Sequence, residues 1–160
     1  MGELVITRYF DAPREAVWKA WTDPEQIMRW WGPKDFTSPV CKIDFKVGGK
    51  YLLCMRGKAG PDAEEKDYWS TGTYKEILPM EKFIVMDSFA DENGNIVSST
   101  YYGMPEFPME TQITVTFEDI EGKTKMTLKY QDIGHPDDQI NSNMEQGWNQ
   151  SFDKLKEILG

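Results

Sequence analysis

The chain opens on alternation: across residues 3–10, Leu4, Ile6 and Arg8 alternate with Val5, Thr7 and Tyr9 in a segment rich in β-branched and aromatic side chains. A period of two with that composition predicts a first strand. The period then lengthens. Asp11-Ala12-Pro13 offers a capping side chain and a proline with the φ of a first helical turn, and Val17, Trp18 and Trp21 form an apolar stripe behind it. Thr22 or Asp23 with Pro24 and Glu25 repeats the start signal, Ile27, Met28 and Trp31 repeat the stripe, and Gly32-Pro33 ends it. Two short helices are therefore expected before the second strand.

From Asp35 the alternation returns. Residues 36–45 and 50–56 read as a hairpin turning at Gly48-Gly49, followed by a polar loop over 57–67. Further strands are predicted at 69–78, 82–89, 96–102, 109–118 and 124–130, separated by Pro79, by a type I′ signal at Asn93-Gly94, by Pro105 and Pro108, and by Glu121-Gly122. After Pro136-Asp137-Asp138, apolar residues recur at three or four: Ile140, Met144, Trp148, Phe152, Leu155 and Leu159. That spacing predicts one long amphipathic helix. With no repeat, low-complexity tract or linker, the reading is one domain over 1–160. Its order is α+β, and a curved antiparallel sheet must wrap the terminal helix to cover its stripe.

Composition narrows the functional classes. The 160 residues contain no apolar run near the roughly 20 needed to span a bilayer. The opening alternation is unlike a basic-then-apolar leader, so the cytoplasm is the expected compartment. A net charge of −9 without any basic stripe argues against nucleic acid and anionic membranes, which are recognised through clustered Lys and Arg. Cys41 and Cys54 are too few for a disulfide framework and lack zinc spacing. With a two-residue turn at Gly48-Gly49 they would lie diagonally on one face of the hairpin, within reach of oxidation.

Phe10-Asp11-Ala12-Pro13 with Val17-Trp18, Trp30-Trp31-Gly32-Pro33, Val47-Gly48-Gly49, Gly72-Thr73-Tyr74-Lys75-Glu76-Ile77 and Gly147-Trp148 followed by Leu155 together resemble one family. It is the heat-shock-protein-90 ATPase activator-like branch of the START, polyketide-cyclase and birch-pollen-allergen (SRPBCC) superfamily. The match extends from about Ile6 to Leu159. The resemblance implies a helix-grip fold with an elongated cavity between sheet and helix. It also implies binding of lipids, polyketides or other hydrophobic molecules, and in some members contact with a chaperone. It carries over no catalytic residue set.

Candidate chemistry is sparse. His135, the single histidine, stands in Gly134-His135-Pro136 before the last helix, without a Ser or Cys placed beside it, and reads as a solvated loop residue. Asp62, Glu64, Glu65 and Asp67 lack calcium-loop spacing. No GxGxxG, Walker-type, CxxC or HExxH motif occurs, so no cofactor, metal or catalytic residue is assigned. The aromatic and methionine supply says more, with six Trp, eight Phe, seven Tyr and nine Met. It furnishes either a plain core or the walls of an apolar ligand cavity.

The ligand-lining candidates are Tyr51, Leu53, Trp69, Tyr74, Val85, Phe89, Met126 and Leu128 from the sheet, and Met144, Trp148 and Phe152 from the helix. Tyr74, Arg56 or Asp87 could serve as polar anchors, and Gly147 marks a place where the helix leaves space or approaches the sheet. Residues 30–33 form a cavity mouth, a partner surface or plain helix-end packing; residues 101–108 form a lid, a contact loop or a self-packed loop. Binding of a small hydrophobic molecule leads. A co-chaperone-like interaction domain is the alternative, and a cyclase- or hydrolase-type enzyme ranks behind both. The enzyme reading would need a buried carboxylate or histidine with a shifted pKa facing the cavity. Monomer and homodimer both fit the sequence.

Overall fold

The computed structural model describes residues 3–58, 61–104, 107–131 and 138–159, with the side chains of 138–140 excepted. His135, Pro136-Asp137, Pro105 and the side chain of Ile140 lie outside the described residues. Seven strands form one antiparallel sheet: β1 Glu3–Phe10, β2 Thr37–Ile43, β3 Lys50–Lys58, β4 Glu65–Leu78, β5 Lys82–Ala90, β6 Thr111–Ile120 and β7 Lys123–Gln131. Helices α1 (Arg14–Thr22) and α2 (Pro24–Trp30) lie between β1 and β2, and α3 (Asp138–Leu159) closes the chain. The strand order is β1-β7-β6-β5-β4-β3-β2. Only the β1–β7 pairing joins strands distant in sequence; the rest is a meander, curved around α3 in a helix-grip fold.

Alternation decides which side chains meet the helices. On β6, Thr111, Ile113, Val115 and Phe117 are buried, and on β7 Thr124, Met126, Leu128 and Tyr130 are. The same face of β1 carries Arg8, which does not break the pattern because α3 satisfies it. Its guanidinium donates to the Asn149 carbonyl at 3.1 Å and pairs with Asp153 at 2.8 Å, tying helix to strand. At one end of this face α1 and α2 drive in their tryptophans. Trp30 is fully buried with its indole N–H on the Ala20 carbonyl at 2.9 Å, and Trp21 lies against Met126, Phe83 and Phe152. Trp18 sits 5.3 Å from Phe117, ring centre to ring centre. Large aromatic side chains therefore fill this half of the grip.

Several local expectations change. The segment predicted as a strand at 96–102 is a single 3-10 turn, Ser99–Tyr102, after one isolated bridge from Ala90 to Ile96. Beyond that bridge it finds no strand to pair with, and Tyr102 turns inward to bridge the Trp69 amide and the Ala90 carbonyl through its hydroxyl. The turn at 91–95 is not type I′: Gly94 has positive φ while Asn93 does not, and the Asp91 carboxylate accepts from the Asn93 and Asn95 amides. Pro13, not Asp11, caps α1, without a side-chain bond, whereas Asp23 caps α2 by accepting from the Glu25 amide. Strands β3 and β4 also run into the region predicted as a loop at 57–67.

The β2–β3 connection is longer than two residues. Strand pairing starts at Ile43 with Tyr51, because the tight turn falls earlier, at 46–49, where the Gly49 amide donates to the Lys46 carbonyl, while the Gly48 amide donates to the Tyr74 carbonyl and the Gly49 carbonyl accepts from the Tyr74 amide. The three-residue shift is odd, so it inverts the faces. Cys41 then pairs with Leu53 and Cys54 with Val40, on opposite faces, and both are free thiols. No helix among the described residues is long and apolar enough to cross a membrane.

Candidate functional site

Where the tryptophans of α1 and α2 stop, the grip stays open. A cavity of about 360 Å³ lies there between the sheet and α3. The sheet contributes Met55, Tyr68, Ser70, Asp87, Phe89 and Tyr130; α3 contributes Met144, Gly147, Trp148 and Ser151. Trp31, Gly32 and Pro33 after α2 form one rim, with Met104 and Phe107 before β6 at another. The size and the apolar walls with few polar groups are those of small-molecule sites.

The rim is held from below. Lys154 on α3 donates to the carbonyls of Trp31, Pro33 and Phe36 at 3.1–3.5 Å, and the Lys34 amide donates to Gln150 at 3.0 Å. Burial lowers the Lys154 pKa from its ordinary range. The ammonium replaces lost water with three carbonyl partners, which orients the loop carrying Trp31 and Pro33. Gly147 faces that loop: a Cβ there would meet Pro33 at 3.5 Å, an ordinary contact, with the cavity beyond.

The polar end of the cavity arises from register. Tyr51, Gly72 and Asp87 are direct neighbours across β3, β4 and β5, on the inward face, with Thr111 of β6 next in the row. Because Gly72 has no side chain, the Tyr51 ring lies across it; a Cβ would come within 2.5 Å of that ring. The Tyr51 hydroxyl thereby reaches Asp87 and donates to its carboxylate. Asp87 is half-buried and lines the cavity. Burial pushes its pKa up to about 7, against a smaller downward pull from the Tyr51 hydrogen bond. The Tyr51, Tyr74 and Tyr130 hydroxyls are all raised, chiefly by burial. A carboxyl that can be neutral or charged near pH 7 thus faces an apolar chamber.

The sequence-predicted lining residues divide among three places. Trp69, Phe89, Met144 and Trp148 border the large cavity. Tyr51, Leu53, Tyr74 and Val85, again with Trp148, surround a second void of about 30 Å³ on the tryptophan side. Met126, Leu128 and Phe152 border neither space and are fully buried in the core that Trp21 and Trp30 fill. Of the anchors, Asp87 faces the cavity, while Arg56 pairs with Asp67 at 2.7 Å away from it. Sequence reasoning does not pick out Met55, Tyr68, Ser70 or Tyr130. Tyr130 alone carries a usable signal, since it continues the alternation of Met126 and Leu128.

Other chemistry is quiet. Burial, with Asp23 second, pushes the Cys41 thiol up to about 12; burial, with Asp67 second, pushes Cys54 up to about 11, so neither is a nucleophile near neutrality. Among the described residues no cluster of His, Cys, Asp and Glu could hold a metal ion.

Comparison with known proteins agrees with this architecture. The sequence profile described as activator of Hsp90 ATPase homolog 1-like protein matches residues 11–160. A search of curated proteins finds no match. Among solved structures, a protein of Arthrobacter aurescens superposes with a TM-score of 0.76 at 28% identity, covering 98% of this chain and 85% of that one. A protein of Chromobacterium violaceum gives 0.75 at 22%, covering 99% and 98%. An AHSA1 protein of Silicibacter pomeroyi gives 0.72 at 20%, covering 99% and 97%.

Proposed function

This chain belongs to the activator of Hsp90 ATPase homolog 1-like family, and we propose that within it the protein, acting as one domain over 1–160, binds a small hydrophobic molecule between sheet and α3. The observation that carries the reading is the 360 Å³ chamber, walled largely by aromatic and methionine side chains, with Asp87 as the acid among its described lining residues. Transfer of an apolar molecule into it removes hydrocarbon surface from water at about 25 cal/mol per Å², and one buried polar group fixes orientation.

The test is a titration with naphthylmethanol, a neutral probe, followed by the fluorescence of Trp31 and Trp148. One equivalent should bind with a Kd below about 1 mM, as expected for a ligand of that size. Gly147→Leu should abolish binding by filling the chamber while keeping the helix at least as stable, since Gly is about 1 kcal/mol poorer than Ala in a helix. Absent or unaltered binding would overturn the reading.

The family description carries a partner reading, contact with an Hsp90-type chaperone, which would use the outer surface. Stimulation of a chaperone ATPase that survives Gly147→Leu would favour it. Asp87 itself favours a third reading, proton transfer to an enclosed substrate, because a carboxyl near pKa 7 both gives and takes protons at neutrality.

A further inference from the structure

Granted the binding function proposed for the chamber, on which this step rests, its polar groups narrow the chemistry of the occupant. Asp87 is the acid among the described lining residues, and none of them is a Lys or an Arg. Its described hydrogen bond comes from the neutral Tyr51 hydroxyl, so among the described lining residues the ionised carboxylate meets no cationic side chain. Around it stand Trp31, Tyr68, Phe89, Tyr130 and Trp148. Aromatic faces carry negative quadrupole density and attract cations, most strongly where water is excluded. The Tyr68 ring already does so, with the Lys66 ammonium 5.3 Å from its centre.

Three ligand types can be weighed against this setting. An acid would set a second negative charge beside Asp87, the arrangement that disfavours ionisation of both. A neutral hydroxyl would hydrogen-bond but leave the ionised carboxylate without a counter-charge. An ammonium satisfies the carboxylate and the aromatic walls together. A net charge of −9 adds a long-range field favouring the approach of cations. We propose that the chamber is a receptor site for a hydrophobic cation, an aromatic or alkyl amine whose ammonium group sits on Asp87 and whose apolar body lies among Trp31, Phe89 and Trp148.

The proposal has a proton signature. Free Asp87 titrates at about 7, and a bound ammonium holds it ionised, so binding below that pH expels a proton. The groups that face Asp87 do not blur this. Tyr51 from β3, Tyr68 from β4 and Tyr130 from β7 stay protonated throughout, because burial raises all three. The described lining residues of α3, of Trp31 to Pro33, and of the stretch before β6 contain no ionisable side chain.

Isothermal titration of the whole protein with naphthylmethylamine, naphthylmethanol and naphthoic acid, at pH 6 and pH 8 in two buffers of different ionisation enthalpy, tests it. The amine should bind at least about ten-fold tighter than the alcohol at pH 8, with the acid weakest. At pH 6 amine binding should release close to one proton and alcohol binding none. In Asp87→Asn the amine's advantage should vanish while the alcohol's affinity is kept. Should that variant fail to fold, the proton count on the unaltered protein decides alone. An amine that binds no tighter than the alcohol, or binds without proton release at pH 6, overturns the proposal and leaves the cavity reading intact. If none of the three binds, both fall.

Discussion

Asp87 owes its character to the missing side chain of Gly72. The Tyr51 ring occupies that gap and hands Asp87 its one described hydrogen bond, which is too little to offset burial. The pH dependence follows in sign. A carboxyl raised in the fold from 3.8 to about 7 binds more protons folded than unfolded between those values, so stability falls as pH rises through that window and levels off above it. The loss is at most about 4 kcal/mol, from 1.36 kcal/mol per pH unit. Asp67 beside Arg56 and Asp91 under its turn amides are held low, and lose their small contributions only at more acid pH. Chemical denaturation from pH 4 to 8 should show the fall in the unaltered protein and not in Asp87→Asn, the variant becoming the more stable one above pH 7. A second substitution addresses the gap. Gly72→Ala should displace the Tyr51 ring and cost about 1–3 kcal/mol, with the Asp87 carboxyl signal in NMR moving to a different midpoint; an unchanged midpoint and stability would refute the cross-strand arrangement.

At the scale of elements, period was a reliable guide and register was not. Alternation places β1, β6 and β7 within a residue or two, and the three-to-four spacing of Met144, Trp148, Phe152 and Leu155 gives α3. Both signals arise from burial of one face, which every residue of the element reports. Register depends on turn geometry, which few residues report. Gly48-Gly49 looks like the centre of a two-residue turn, yet the Gly49 amide closes a turn back onto Lys46 and the Gly48 amide serves Tyr74, and the shift reverses the two faces of β2. The strand expected at 96–102 has the right composition but no partner beyond Ile96. The Lys154 clamp on the 31–36 loop lies beyond any local pattern, because its partners are more than a hundred residues away. Lys154→Met should cost about 1–2 kcal/mol for the lost carbonyl partners. Amide exchange at Trp31 and Phe36 should accelerate, and naphthylmethanol should bind more weakly because its rim is loose. Unchanged exchange in that loop would contradict the clamp.

For the molecule as a whole, the family and the grip were legible because sheet, helices and motifs recur in a fixed order along nearly the entire chain. The cavity's location was not. Aromatic richness says that large apolar walls exist, but not where they touch. Trp21 and Trp30 close one half of the grip over Met126, Leu128 and Phe152, while the half facing Met55, Phe89 and Met144 is left unfilled. That division separates the methionines into classes that one experiment can read. Met55, Met104 and Met144 line the cavity, Met126 is sealed in the core, and Met28, Met80 and Met109 are exposed. With methyl-labelled methionine and unlabelled naphthylmethanol, isotope-filtered NOE spectra should connect the probe to Met55, Met104 and Met144 and to none of the others. Contacts confined to Met28, Met80 or Met109, or no contacts at all at saturating probe, would contradict a binding chamber between the sheet and α3.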